Sequence, residues 1–281
     1  MSLMTDEQFK DFFEPYAGNV EGFYEVAYWK LSDALIQELF RRHLSAEPGA
    51  HILDAGGGTG RWGLWCADAL GVEVTVADKS SRMLAEAKEN VARAGATDKV
   101  HLVECDLENA PQLKDEQFDA VISTYGVLSF LSDPAAAFST LYRVMRPGAH
   151  ALLMSHSLSN AVHSKINRDG ADAEELRALM RDRIVRWAPH VPPLRVYDSA
   201  ELRTLGSEVG FEVQGVYGVT SLAMPGADDF GYPYTNISDI SRALEDEEYF
   251  RTVLDLELQA SEQPEWADRG VNLMVHVRRP F

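Results

Sequence analysis

Cysteine is nearly absent: the 281 residues hold two, Cys66 and Cys105. Each lies in an apolar stretch, and their spacing matches no metal motif, so both read as buried, reduced thiols. A disulfide framework is excluded, and no spacing of Cys, His, Asp and Glu suggests a metal site. Long hydrophobic runs are missing too. No apolar stretch reaches the length that spans a bilayer, so no membrane is expected. Met1 to Glu14 carries acids and no apolar signal core, which points to the cytoplasm. Positive charge is scarce: 26 Lys and Arg against 44 Asp and Glu give a formal net charge of −18. Such a surface repels phosphate backbones unless a local basic patch overrides it. One modest basic cluster is present, Arg177, Arg181, Arg183 and Arg186. These are either solvated helix arginines or, for the first three, a site for a substrate carboxylate.

What remains is ordinary globular composition, 46% apolar and 25% charged. The length suits one α/β domain with a sizeable insertion or a small lid. Residues 5–44 read as a helical cap. Aromatics recur at Phe9, Phe12, Phe13, Tyr16, Phe23, Tyr24, Tyr28 and Trp29, followed by an apolar face from Leu31 to Phe40. Glu47-Pro48-Gly49 ends this stretch, which divides the chain into a cap (1–48) and a main domain (49–281).

From residue 50 short apolar runs alternate with helical patterns. The strands are expected at His51–Ala55, Glu73–Ala77, Val100–Glu104, Ala120–Ser123 and His150–Ser155. Helices are expected at Arg61–Leu70, Ser80–Ala94 and Pro134–Met145. This rhythm predicts an α/β fold with a parallel, doubly wound sheet. Residues 157–197 interrupt it as a lid-like insertion, with a helix at Ala173–Trp187 ended by Pro189, Pro192 and Pro193. An insertion there lies over the carboxyl ends of the strands, where open α/β sheets bind ligands. A helix at Asp198–Val209, a strand at Phe211–Ser221, a helix at Ser241–Ser261 and a closing strand at Val271–Val277 complete the pattern. The final pair suits an antiparallel edge.

The strongest local signal is His51-Ile-Leu-Asp54-Ala-Gly56-Gly57-Gly58-Thr59-Gly60. An apolar strand ends in an acid, and a glycine-rich turn opens a helix whose free N–H groups face a ligand. Gly58-Thr-Gly60-Arg-Trp-Gly63 also satisfies the dinucleotide fingerprint G-x-G-x-x-G, with Asp78 twenty positions after Gly58. A NAD-dependent oxidoreductase is therefore one reading.

The full set of motifs resembles the class I S-adenosylmethionine (SAM)-dependent methyltransferase family. D-x-G-x-G-x-G stands as Asp54, Gly56, Gly58 and Gly60. An acid after strand two stands as Asp78, one after strand three as Asp106, and the segment after strand four as Ser123-Thr-Tyr-Gly126. The resemblance covers about residues 50–155. It implies SAM as cofactor and a Rossmann-like seven-stranded sheet ordered 3-2-1-4-5-7-6, with the last strand antiparallel. A carboxylate at Asp54 would repel a pyrophosphate but suit the methionine ammonium of SAM. The implied cofactor contacts are Asp54, Gly56, Gly57, Gly58, Gly60, Asp78, Lys79, Met83, Cys105, Asp106, Leu107, Thr124, Tyr125 and Tyr24.

A narrower resemblance is to bacterial methyltransferases that esterify the carboxyl of 5-carboxymethoxyuridine in the tRNA wobble position. It rests on Leu53-Asp-Ala-Gly-Gly-Gly58, on Val127-Leu-Ser-Phe-Leu-Ser-Asp-Pro134 and on the tail from Leu256 to Val277. Tyr24 stands in the place of an arginine of that family, and the basic stretch after strand five is here mostly Ala, Asp and Glu.

The expected reaction is methyl transfer to an oxygen or carboxylate of a small molecule, with the tRNA carboxyl and NAD chemistry as alternatives. A catalytically silent SAM-binding regulator is a further one. His156, at the end of strand five, is the first general-base candidate, followed by Tyr125. Each also reads as a structural residue. His163 and His190 are weaker candidates, and Tyr232 and Tyr234 are candidates for pocket lining. The N-terminal helices pack either on their own domain or on a second copy in a homodimer.

Overall fold

A computed structural model describes residues 8, 12, 13, 15, 17–188, 191–230 and 233–281. Phe9, Tyr16, Pro189, His190 and Tyr232, singled out above, lie outside the described residues. Seven strands form the main sheet: β1 (His51–Ala55), β2 (Glu73–Asp78), β3 (Val100–Glu104), β4 (Phe118–Ser123), β5 (Met145–His156), β6 (Glu212–Val219) and β7 (Asn272–Arg278). Their order is 3-2-1-4-5-7-6. The first five run parallel, while β7 is antiparallel to both β5 and β6. This is the Rossmann-like α/β sheet implied by the motifs.

The strands read as nearly continuous apolar runs because both faces are covered. Alternate side chains serve different layers. Leu53, Ala55, Val121, Leu153 and Val275 pack in one apolar cluster. Ile52, Val74, Val76, Ile122, Leu152 and Met274 pack in the other. Helix α1 (Ala27–His43) places Leu35, Ile36, Leu39 and Phe40 in that second cluster, against Trp62 and Cys66 of α2 (Arg61–Ala69). Helix α3 (Ser81–Arg93) is capped by Ser80, whose hydroxyl accepts the Met83 N–H. Helix α4 (Pro134–Val144) is capped by Asp133. Among the described residues no helix is long and apolar enough to cross a membrane.

Several elements differ from the sequence reading. The N-terminal stretch is not all α-helix: Ala17–Tyr24 is a 3-10 segment before α1. The insertion contains a helix not anticipated, α5 (Leu158–Asn167). The expected helix Ala173–Trp187 stops at Asp182 as α6 (Ala173–Asp182). Arg183 takes a left-handed conformation (φ 57°) and sends the chain into a two-residue ladder, Ile184–Val185 against Leu194–Arg195. The tertiary reason is a small core of Leu158, Leu179, Val185, Leu194 and Val196, which a longer helix would not reach. Helix α7 (Ser199–Val209) opens with a capping box between Asp198 and Glu201. The expected helix Ser241–Ser261 is two pieces, Asp239–Ala243 and α8 (Glu247–Ser261). Asp246 accepts the Tyr249 N–H and starts a new helix where one continuous helix was expected.

Two buried features have measurable consequences. After β4 the chain turns through Tyr125 (φ 49°) and Gly126 (φ 83°). A Cβ on Gly126 would lie 2.6 Å from His156 Nε2. Gly126→Ala combines that clash with a left-handed penalty of about 1–2 kcal/mol. It is expected to lower the thermal midpoint by roughly 2–8 °C or more, read by calorimetry.

Histidines are also held neutral. His150 Nδ1 lies 2.8 Å from His276 Nε2, and the His43 ring stacks on Tyr217 at 4.6 Å. Burial first, then the charges of His150 and His43, push His276 down to about 3. Burial pushes His156 down to about 4, opposed by a side-chain hydrogen bond to Asn272 that favours the protonated ring. The unfolded chain binds these protons below its ordinary value of 6.5. Their share of stability is therefore complete above that pH and lost as the pH falls toward 4 and then 3. Urea midpoints are expected to fall on acidification through this window, and less steeply in His276→Phe.

Candidate cofactor site

The site starts where β1 ends. Asp54 and Ala55 lead into the turn Gly56–Gly60, and α2 begins at Arg61. At Gly57 a Cβ would lie 2.6 Å from the Asp54 carboxylate and 2.8 Å from Val76 Cγ1. Only a glycine lets the backbone pass so close to both. The carboxylate of Asp54 is buried behind this turn, where its Oδ2 accepts the Gly63 N–H at 2.9 Å. Its Oδ1 has no partner among the described residues. Burial pushes this carboxyl up to about 7; the Asp78 charge adds to the rise and the Gly63 N–H opposes it. Asp54 thus fastens the turn to the first turn of α2.

Asp78 closes β2. Its Oδ2 accepts the Gly58 N–H at 2.9 Å and its Oδ1 the Ser80 N–H at 2.8 Å. One carboxylate thereby ties the glycine turn to the start of α3, and burial raises its pKa. Beyond β3, Asp106 accepts from Lys79 Nζ at 2.8 Å and from the Glu108 N–H at 3.0 Å. Glu108 in turn accepts the Ser132 N–H at 2.7 Å. The thiol of Cys105 is pushed up to about 11, mainly by burial, so it is not a thiolate.

On the other side, beyond β1 and β4, the N-terminal segment contributes. Asp33 of α1 accepts from the Tyr125 hydroxyl and from both terminal nitrogens of Arg61. The Arg61 guanidinium lies 4.3 Å over the Tyr24 ring, and the Tyr24 and Tyr125 rings are 4.7 Å apart. Burial and the Asp33 charge raise the Tyr125 pKa, so the hydroxyl keeps its proton.

These residues surround a cavity of about 450 Å³, within the usual range of small-molecule sites. Of the residues drawn from the sequence, Tyr24, Gly56, Gly57, Gly58, Asp78, Lys79, Met83, Cys105, Asp106, Leu107, Thr124 and Tyr125 line it. Asp54 and Gly60 do not; they shape the turn from behind. His156 does not line it either, because its ring packs behind Gly126 and beside Phe130. Tyr234 donates to the Phe23 carbonyl at 2.6 Å and stands outside the lining. Arg177, Arg181 and Arg183 face Glu174, Asp182 and the pair Asp198 and Glu201. Among the described residues no cluster of His, Cys, Asp and Glu forms a metal site.

The sequence reading did not assign Thr59, Arg61, Trp62, Glu108, Val127, Phe130, Leu131 and Ser132 to the site. Phe12, Phe13 and Phe23, residues of the expected cap, line the cavity as well. One signal was available for Arg61: it directly follows the glycine turn. Another was Asp33, a lone acid among the apolar positions of α1.

Residues 52–148 match the family described as "Methyltransferase domain". The tRNA 5-carboxymethoxyuridine methyltransferase of Escherichia coli K12 is 26% identical over 170 residues, 56% of this chain and 62% of that protein. The chain thus spans less than two thirds of that relative. Two solved structures share the fold. A chain of the complex between the Haloferax volcanii Trm112 methyltransferase activator and a methyltransferase has a TM-score of 0.62 at 17% identity, over 97% of both chains. Haemonchus contortus phosphoethanolamine N-methyltransferase 2, in complex with SAM, has a TM-score of 0.61 at 16% identity, over 99% of this chain and 60% of its own.

The dinucleotide reading is corrected by topology. A dinucleotide fold continues its parallel order as 3-2-1-4-5-6, whereas here antiparallel β7 lies between β5 and β6. Replacing Asp54 tests the turn. Asp54→Ala leaves the buried Gly63 N–H without an acceptor and is expected to cost about 1–3 kcal/mol in urea unfolding. Asp54→Asn keeps an acceptor there and is expected to lose less. By its motif residues, its sheet order and the match of residues 52–148 to a methyltransferase-domain family, the chain is similar to SAM-dependent methyltransferases and shares their fold.

Proposed function

We propose that the chain is a SAM-dependent methyltransferase whose acceptor is a small molecule with an oxygen that is already anionic, a carboxylate first of all. The observation that supports this is the state of the proton-handling groups around the cavity. No histidine lines it among the described residues. The Tyr125 hydroxyl donates to Asp33. Asp78, Asp106 and Glu108 each accept backbone N–H groups. An alcohol or ammonium acceptor needs a base to take its proton, and a carboxylate does not.

The cavity fits SAM. The glycine turn brings backbone to its edge, and Asp78 and Asp106 present carboxylate oxygens for ribose hydroxyls and an adenine amino group. When bound, SAM supplies a methyl group activated on a sulfonium. The chain's task is then alignment, which contributes ~7–11 kcal/mol in favourable cases. Phe12, Phe13 and Phe130, with ring centroids 5.0–6.4 Å apart, wall the cavity and exclude water.

The second reading is a tRNA carboxyl acceptor, favoured by the Escherichia coli relative. Against it stand the net charge of −18 and the ion pairs that occupy Arg177, Arg181 and Arg183. Calorimetric titration with S-adenosylhomocysteine, with NADH as control, is expected to show micromolar binding of the first only. The reverse would overturn the proposal. Methyl transfer from labelled SAM is then expected to small carboxylic acids and not to bulk tRNA; transfer to tRNA would establish the second reading.

A further inference from the structure

The cavity has two unlike walls. Its charged side chains, Asp78, Asp106 and Glu108 against Arg61 and Lys79, follow the glycine turn and the ends of β2 and β3. Both cations are already ion-paired, Lys79 with Asp106 and Arg61 with Asp33 and Glu21. The other wall holds Phe12, Phe13, Val127 and Phe130, which carry no charge. Its rings meet edge to face: Phe12 and Phe13 at 5.0 Å and 84°, Phe13 and Phe130 at 5.0 Å and 70°. Phe130 ends the short helix Val127–Phe130 after β4, and the insertion's core of Leu158, Leu194 and Val196 backs it. Phe12 and Phe13 come from upstream of the matched segment 52–148 and close on that fixed ring.

We infer that this phenylalanine corner receives the acceptor and selects a flat aromatic body with a single negative charge, a small aryl carboxylic acid of the phenylacetate kind. The inference rests on the carboxylate reading above and names the substrate class. Charge is the first argument. Three lining carboxylates stand against two lining cations. With SAM, of one net positive charge, the cavity comes to neutrality. A monoanion then has the sulfonium for its partner. A doubly charged phosphate ester would face the same carboxylates with both described cations already engaged. Shape is the second argument. Rings set edge to face offer faces and edges to a further ring, an attraction beyond the burial of apolar area. A saturated ring of the same size gains the burial alone. In the transfer, a carboxylate oxygen forms its bond to the methyl carbon as the methyl–sulfur bond breaks. The electron pair of that bond stays on sulfur, and no proton moves, so a corner without a base suffices.

The test is calorimetric titration of the chain loaded with sinefungin, an unreactive SAM analogue that carries an ammonium in place of the sulfonium methyl. Three probes are compared: phenylacetate, cyclohexylacetate and, at about pH 8 where a phosphate monoester is doubly charged, phenyl phosphate. Phenylacetate is expected to bind about threefold or more tighter than either of the others. Phe13→Leu and Phe130→Leu keep an apolar wall and remove one ring each. Both are expected to bring phenylacetate close to parity with cyclohexylacetate, with sinefungin affinity within about twofold of wild type. Parity of the two acids in the wild-type chain would overturn the aromatic selection and leave the carboxylate reading intact. A preference that survives both substitutions, or an equal loss of sinefungin and phenylacetate in them, would also overturn it, since the rings would then not be the acceptor's wall. Tighter binding of phenyl phosphate, or no binding of either acid to the loaded chain, would overturn the carboxylate reading together with the inference. Failure of the chain to bind sinefungin would overturn the cofactor reading beneath both.

Discussion

The Asp54 carboxylate meets no solvent; it accepts the Gly63 N–H from behind a glycine whose missing Cβ makes the approach possible. The remainder of the site depends on this contact. It fixes the angle at which α2 leaves β1, and so places Arg61 and Trp62 on one side of the cavity. It also holds the turn where Gly58 can donate to Asp78. Two acids at the ends of neighbouring strands thus secure one loop from two directions, and the sheet register sets their spacing. Their burial raises both pKa values.

A second constraint comes from outside the matched segment. Asp33 reaches from α1 to Arg61 and Tyr125, which follow different strands. The apolar stripe of α1 makes this possible. Leu35, Ile36, Leu39 and Phe40 bury in the sheet's own core, so Asp33 is presented on a rigid element. A mobile cap would not hold a carboxylate against a left-handed Tyr125. The same residue that orders the site accepts the Tyr125 hydroxyl, while the His156 ring packs behind Gly126.

Much of the fold was legible in the sequence because parallel strands buried on both faces produce apolar runs, and their helices carry capping residues at their starts. Ser80, Asp133 and Asp198 mark helix starts close to where the structure has them. The insertion was read less well. Periodicity continued past Asp182, but the chain turned at Arg183 because Val185 and Leu194 had a small core to join. The break before Asp246 was similarly hidden, since the apolar pattern spans two helices that meet at a cap.

The sequence by itself determined the strand-ending acids, the glycine turn and the order of the alternating elements. Those are local: each depends on residues within one turn or one strand end, where spacing is the geometry. Which of these groups face the cavity was decided only by tertiary structure. Asp54 and Asp78 end adjacent strands in similar contexts, yet one carboxylate lies behind the turn and the other at the cavity wall. Likewise Glu21, Asp33 and Arg61 carry no shared motif. Asp33 and Arg61 meet because α1 packs on the same sheet face as α2, and Glu21 joins them from the 3-10 segment before α1, long-range contacts that no spacing along the chain encodes.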